Sequence, residues 1–173
     1  YKSCWNAAWQ DAGYFACAQI SVMQGRLEDA LDEINHSLIR NWHNHKARTL
    51  KITILRRMGR GEEAMQWIKD SLSIDKFNFA CYYEKYLVTN TSEDLTSLKE
   101  MLRKEAHNYD EIALDYCGAG CWMEAVSLWK VAIDEAAITP MTYYYLGWSL
   151  LKGGLDGAQQ TFADATNACP DYC

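Results

Sequence analysis

Apolar residues recur along this chain at intervals of three and four, the spacing that marks one face of an α-helix. Short polar or glycine-containing segments separate these stripes. The pattern predicts helices over residues 14–24, 27–40, 45–58, 62–74, 79–88, 95–104, 109–117, 123–135, 143–151 and 155–168. Stretches in which apolar and polar residues alternate strictly are absent, so strands have no support. The chain is therefore predicted to be all-helical.

The predicted helices come in pairs that repeat at a fixed step along the chain. Gly25 and Gly59 are separated by this step in the strings GRLEDALDEINHSL and GRGEEAMQWIKDSL, and so are Ala30 and Ala64. A related string, GCWMEAVSLWKVAI, surrounds Ala125. A fixed period of about 34 residues indicates a helix–turn–helix unit that buries its apolar face only by stacking on its neighbours. We expect a solenoid of about five such repeats.

The third repeat is degraded. The position one repeat step after Gly59 holds Glu93 instead of glycine. The segment Thr91-Ser92-Glu93-Asp94 supplies residues of the kind that cap helix N-termini, so we expect it to start the second helix of this repeat.

The start of the chain falls inside a repeat. Three serines keep the repeat step, namely Ser3, Ser37 and Ser71. This register places Tyr1 within the second half of a helix. We therefore expect one solenoid domain over residues 1–173 that is a fragment of a longer chain. Trp5 and Trp9 would be exposed at that end, which predicts self-association there.

The fifth unit resembles the tetratricopeptide repeat (TPR). The aromatic, Leu-Gly, Ala, Phe, Ala and Pro positions of that family match Tyr143, Leu146, Gly147, Ala158, Phe162, Ala165 and Pro170. The resemblance implies a right-handed superhelical solenoid whose first helices line a concave groove. It also implies a non-catalytic scaffold that binds a protein or peptide through that groove.

Two longer strings carry a narrower resemblance. YKSCWNAAWQDAGYF and NHKARTLKITILRRMGRGEEA are similar to the C-terminal repeat region of large bacterial proteins of unknown function. Those proteins carry an N-terminal β domain similar to galactose mutarotase. The resemblance implies that the partner is a protein segment or an upstream domain of the same chain. The alternative is an accessory helical region of a carbohydrate-active enzyme that contributes aromatic residues to a glycan site.

The TPR register predicts which residues of the first helices face the groove. They combine aromatic rings with basic and hydroxyl side chains: Phe15, Gln19, Lys46, Thr49, Thr53, Arg56, Arg57, Tyr83, Tyr144 and Trp148. Arginine among aromatic rings suits an extended peptide or a sugar. Alternatively, the arginines are solvated and the rings pack on neighbouring repeats.

The carboxylate clamp of chaperone-binding TPRs is not reproduced. That clamp uses Lys and Asn at fixed positions of the first helices, and the matching positions here hold Phe15, Gln19, Thr49 and Thr53. Binding of chaperone C-termini is therefore not expected.

Composition narrows the remaining classes of function. The 173 residues are 49% hydrophobic with a net charge of −6, which suits a globular protein and disfavours a nucleic-acid partner. No apolar run reaches the roughly 18–20 residues that span a bilayer, so no membrane partner is expected. Motifs such as G-x-S-x-G, H-E-x-x-H and the P-loop are absent, and no enzymatic activity, cofactor or metal is expected.

Seven cysteines form an odd set, and most lie within apolar helical stripes. Free cysteine behaves there as a small hydrophobic residue. The pattern favours a reducing compartment, so we expect a cytoplasmic protein. Cys117 and Cys121 span a predicted turn, and their spacing does not suggest zinc.

Overall fold

A computed structural model describes residues 7–168 of the chain. Within this range the chain forms a short 3-10 turn at Ala7–Trp9 followed by ten α-helices and no strand: α1 Gln10–Met23, α2 Leu27–Arg40, α3 His45–Arg57, α4 Gly61–Ile74, α5 Phe79–Thr89, α6 Ser92–Leu102, α7 Ala106–Gly118, α8 Trp122–Asp134, α9 Pro140–Lys152 and α10 Ala158–Ala168. The predicted all-helical class and the five helix pairs are confirmed within these residues. The helix predicted to contain Tyr1 lies outside them.

Five helix starts differ from the prediction by three or four residues: α1, α6, α7 and α9 begin earlier than predicted, and α10 begins later. α1 begins at Gln10 rather than Tyr14. It follows the 3-10 turn directly, and an apolar stripe marks the buried face of a helix rather than its end. α10 begins at Ala158 rather than Leu155, because Gly157 has a φ of 99°, outside the helical range.

The chain divides into two compact units, Tyr1–Met101 and Leu102–Cys173. In the first unit each of the helices α1 to α4 packs on the next, and α3 also contacts both α1 and α5. In the second unit α7, α8, α9 and α10 pack in sequence, and α7 contacts α9. Contact between the first helices of successive pairs is the arrangement of stacked helical repeats. The single solenoid over 1–173 stays a prediction.

Four of the five helix pairs share one turn. Each places a glycine in the left-handed conformation: Gly25 (φ 72°), Gly59 (φ 76°), Gly120 (φ 68°) and Gly154 (φ 64°). The amide after the glycine donates to a carbonyl five residues earlier, at 2.8–2.9 Å in every case. This pair of features defines the Schellman motif, which satisfies carbonyls at a helix end. Gly25 and Gly59, which recur at the repeat step, therefore form the turns of the first two helix pairs.

The third pair replaces the glycine by asparagine. Asn90 ends α5 with a φ of 52°, and asparagine is among the few residues that tolerate this region. Thr91 then precedes α6, and its Oγ1 accepts from the Asp94 amide at 3.3 Å, as predicted for this capping segment. The Asp94 carboxylate also accepts from Thr89 Oγ1 at 2.6 Å and pairs with Lys85 at 2.7 Å.

The repeat step also positions the starts of α3 and α5. Asn44 and Asn78 precede these helices, and their side chains accept from the amides of Ala47 (3.1 Å) and Cys81 (3.4 Å). Each asparagine satisfies an amide that has no partner within its helix.

Small residues allow the paired helices to approach closely. Ala64 of α4 is fully buried in a cluster with Ile52, Leu55, Ile68 and Cys81. In the second unit, a methyl group on Gly147 of α9 would lie 2.5 Å from the Phe162 ring of α10.

We expect Ala136→Gly to stabilise the second unit. Ala136 follows α8 with a φ of 56°, and the next amide donates to Ala132 O at 2.9 Å, so this end has the same motif without glycine. An L-residue in this region costs about 1–2 kcal/mol, which exceeds the entropic cost of glycine, so the net gain is about 0.5–1 kcal/mol. Urea denaturation measures it. Ser127→Gly, at an exposed site within α8, is the control and should cost roughly 0.5 kcal/mol. A loss of stability in Ala136→Gly would contradict the left-handed conformation of Ala136.

Candidate binding site on helix α3

The predicted groove residues are divided between the two units. The first unit carries eight of the ten, on α1, α3 and α5, and the second carries Tyr144 and Trp148 on α9. Their exposure varies. Lys46, Arg57 and Tyr144 are exposed; Phe15, Gln19, Thr49, Arg56 and Trp148 are partly buried; Thr53 and Tyr83 are buried.

A buried ion pair joins α3 to α5. The Arg56 Nε lies 2.7 Å from the Oε2 of Glu84, whose side chain is fully buried, and Arg56 Nη2 lies 3.3 Å from Oε1. Thr53 Oγ1 donates to the same Oε1 at 2.6 Å. Arg56, which was predicted to face the groove, therefore pairs with Glu84 inside the molecule. Of the basic residues predicted to face the groove, Lys46 and Arg57 are exposed.

Three aromatic residues that were predicted to face the groove are buried or contact other rings of the protein. Tyr83 has no exposed surface to offer a partner. Tyr144 is 53% exposed, but its ring packs near Phe162 with centroids 6.5 Å apart. The Trp148 ring lies edge-on to Trp122 at 5.4 Å. The Trp148–Trp122 contact joins two repeats, as in the alternative interpretation, whereas Tyr144 and Phe162 belong to the same repeat.

A second polar cluster on α3 was missed by sequence reasoning. Tyr14, Tyr109 and Tyr143 each stand at the same distance before the left-handed glycine of their repeat. One repeat step from Tyr14 leads to Arg48 in the second repeat, and the Arg48 side chain is fully buried. An arginine at a position that the other three glycine-turn repeats fill with tyrosine is the sequence signal that could have found the cluster.

The Arg48 guanidinium lies between two tryptophans. Its Cζ is 4.8 Å from the Trp42 ring centroid and 4.9 Å from the Trp67 ring centroid, and its Nε donates to Ser71 Oγ at 2.9 Å. Among the described residues, the buried nitrogens Nη1 and Nη2 have no hydrogen-bond partner. Burial lowers the pKa of Arg48, while Cys81 and Asp70 act in the opposite direction. Arginine stays charged in proteins, so the ring faces stabilise a cation whose outer N–H groups are unsatisfied.

Lys51 adds a second cation to the same cluster. Its Nζ lies 3.7 Å from the Trp67 ring centroid and donates to Asn35 Oδ1 at 2.6 Å. Burial, assisted by the charges of Arg48 and Arg60, lowers the pKa of Lys51 to about 8, and Glu63 opposes the shift. Arg60 itself is paired with Glu63 at 2.6 Å. We call Trp42, Arg48, Lys51 and Trp67 the α3 cation cluster.

The described cysteines are candidates for metal binding or nucleophilic chemistry. Within residues 7–168 no group of three His, Cys, Asp or Glu could hold a metal ion. Four cysteines lie in this range: Cys17 is partly buried, and Cys81, Cys117 and Cys121 are buried. Burial raises the pKa of Cys81 to about 12, which disfavours the thiolate needed for nucleophilic attack. Cys117 Sγ contacts Ser149 Oγ at 3.3 Å. Cys4, Cys169 and Cys173 lie outside the described residues.

Solved structures with the same architecture decide the fold. MamA from Desulfovibrio magneticus RS-1, from residue 41 to its end, superposes with a TM-score of 0.51 at 16% identity, covering 91% of this chain and 93% of that one. A thermophilic TPR protein of Thermus thermophilus, TTC0263, gives a TM-score of 0.51 at 17% identity and 92% coverage of both chains. The chain has the TPR fold. A second MamA structure has a TM-score of 0.50 at 16% identity, with 92% of each chain covered.

Sequence identities of 16% and 17% show that the chain shares the TPR fold, and they say nothing about its function. No protein-family model and no curated protein matches the chain. None of the described helices is both long enough and apolar enough to cross a membrane. The function must therefore be argued from the side chains.

Removing Arg56 should destabilise the TPR array much more than removing its neighbour. Arg56→Ala removes the guanidinium that pairs with the buried Glu84 carboxylate, and breaking a buried ion pair in this way costs about 3 kcal/mol. Arg57→Ala removes an exposed charge of the same type and should change stability by less than about 0.5 kcal/mol. Urea denaturation of both variants measures the difference. Equal stability of the two would show that the Arg56–Glu84 pair is absent in solution.

Lys51 should make stability rise with pH. Its pKa is about 8 in the folded protein against an ordinary 10.5, so between these values the unfolded chain holds a proton that the folded chain has lost. Stability then increases with pH across this window. Lys51→Met should abolish about 1 kcal/mol of that increase between about pH 7 and about pH 9.5, a figure reduced for solvent screening.

Urea denaturation at the two pH values gives the measurement, with Lys69→Met, an exposed lysine of α4, as the control. The same pH dependence in wild type and Lys51→Met would contradict the burial of Lys51.

Proposed function

We propose that this chain is a non-catalytic TPR scaffold that binds an extended protein segment through the first helices of its repeats. The observation that carries the proposal is the grouping on α3. Lys46, Thr49 and Arg57 are separated by three and eight residues, so they share one side of the helix. Phe15 and Gln19, four residues apart on α1, extend the set to the neighbouring first helix.

The charge of this surface suggests the chemistry of the partner. Lys46 and Arg57 are exposed basic side chains on α3 of a chain whose net charge is −6. An acidic segment would be attracted there, and salt would weaken the attraction. The segment belongs to another protein or to an upstream domain of the same chain.

The Arg56–Glu84 pair contributes rigidity rather than direct contact. Together with Thr53 it fixes α3 against α5 before any partner binds. A preorganised surface loses less conformational entropy on binding, which favours affinity. The proposed binding surface is therefore smaller than the full predicted set, with Arg56, Thr53 and Tyr83 supporting it from within.

The carbohydrate alternative has weaker support. Stacking on a sugar needs an open ring face, but Tyr83 is buried and Trp148 packs on Trp122. The resemblance to repeat regions that follow a mutarotase-like domain is its main basis, and we favour a protein segment. Self-association through the N-terminal end stays a prediction. Trp9 is 62% exposed, and Trp5 lies outside the described residues.

Titration with acidic peptides tests the proposal. Fluorescence anisotropy would follow binding of labelled peptides of about twelve residues that combine glutamates with apolar residues. We expect the affinity to fall at least about fivefold in Lys46→Glu with Arg57→Glu, and to fall with added salt. Lys69→Glu on α4 carries the same charge change outside the proposed surface and should leave the affinity within about twofold. Equal loss in this control, or no binding of any acidic peptide, would overturn the proposal.

A further inference from the structure

We propose that the α3 cation cluster is a binding site for a carboxylate group, separate from the surface proposed above. It lies on another side of α3: Arg48 and Lys51 point toward α2 and α4, whereas Thr53 and Arg56 meet α5. The inference does not depend on the proposed function, because no residue is shared between the two surfaces.

The first argument is an unsatisfied donor group. Arg48 Nη1 and Nη2 are buried, and within residues 7–168 no group accepts a hydrogen bond from either. Buried donors of this kind are costly unless a partner is supplied. The tryptophan faces offset the charge of the guanidinium, but they do not accept its in-plane N–H groups. A ligand that carries two acceptor oxygens would satisfy them.

The second argument is the local charge. Arg48 and Lys51 are two cations on one indole ring, at 4.9 Å and 3.7 Å from its centroid. Asp70 is the acidic group whose charge acts on Arg48, and Glu63 already forms an ion pair with Arg60. Cys81, which also faces Arg48, has a raised pKa and is neutral. The cluster is left with about one positive charge in excess, which favours a monoanion.

The third argument is geometric selectivity. A guanidinium presents its N–H groups as a planar fork that matches the two oxygens of a carboxylate. The flanking indole rings confine the ligand to the plane of that fork. Lys51 can provide a further charged donor beside Asn35. These features favour a carboxylate over a spherical anion such as chloride.

Access to the cluster depends on Trp42. This residue is 50% exposed and lies between α2 and α3, outside any helix, while its ring covers Arg48 at 4.8 Å. We expect rotation of this partly solvated side chain, which belongs to no helix, to open access to the Nη atoms. Trp67 belongs to α4 and forms the fixed wall, with the two rings 5.2 Å apart.

Nuclear magnetic resonance titration tests the site directly. The probe is sodium acetate, added up to about 100 mM to cover weak millimolar affinities, with sodium chloride at equal ionic strength as reference. We expect saturable shifts of the indole Nε1–H signals of Trp42 and Trp67 with acetate and no saturable shift with chloride. No saturable acetate shift in the wild-type protein would overturn the proposal.

Matched variants separate a ligand site from a structural cluster. Arg48→Tyr introduces the residue that the first, fourth and fifth repeats carry here, so the fold has a precedent for it. It should abolish the saturable shift, and Lys51→Met should weaken acetate binding at least about fivefold. Lys69→Gln should bind acetate as the wild type does. If Arg48→Tyr fails to fold, acetate binding by Lys51→Met provides the test instead. Unchanged binding in Lys51→Met would overturn the proposal.

A comparison of two peptides identifies the source of the carboxylate. A short peptide with one internal glutamate is compared with its glutamine counterpart. A glutamate peptide that binds at least about tenfold more tightly than acetate, a gain of about 1.4 kcal/mol, assigns the site to an acidic side chain of a protein. Acetate binding that equals or exceeds that of the glutamate peptide assigns it to a small free acid. Either result supports the carboxylate site.

Discussion

The tight left-handed turn between paired helices is the constraint on which the rest of the structure depends. In four repeats a glycine allows the chain to reverse within a few residues, and the amide that follows it closes the helix end. The reversal brings small residues such as Ala64 against the preceding helix. Because the turn recurs, the stacking of the first helices also recurs, and polar residues on those helices are presented at regular intervals.

Helix α3 departs most from this regular packing, because several of its polar side chains make buried contacts. On one side, Arg56 and Thr53 bind the buried Glu84 of α5. On another, Arg48 occupies the position of a core tyrosine and lies between two indole rings. Buried charge is expensive to maintain for stability alone. The concentration of such groups on one helix is the main reason for placing function in the second repeat.

The fold was largely predictable from the sequence, because a fixed repeat period reports directly on a repeated local structure. Gly25 and Gly59 identified the turns, and Pro140 starts α9 as expected of a residue that lacks an N–H group. Asn90 was missed, since it breaks the period and its left-handed φ depends on the shorter turn of the third repeat.

The candidate site was less predictable, for physical reasons. The Arg56–Glu84 pair joins side chains 28 residues apart, so no local spacing indicates it. The groove register placed Tyr83 on a surface, whereas packing buries it completely. Arg48 could be located by the step from Tyr14, but its two unsatisfied nitrogens become apparent only when Trp42 and Trp67 are in place.

The most direct test of this account is the solvent exchange of the Arg48 Nε–H proton. In the structure this group is buried and donates to Ser71 Oγ at 2.9 Å, whereas the side chain of Arg57 is exposed on the same helix. Nuclear magnetic resonance at mildly acidic pH can compare the two Nε–H protons in one sample. The account predicts that the Arg48 proton exchanges at least about tenfold more slowly than that of Arg57. Equal exchange rates would show that the Arg48 side chain is solvated and that its buried hydrogen bond to Ser71 is absent in solution.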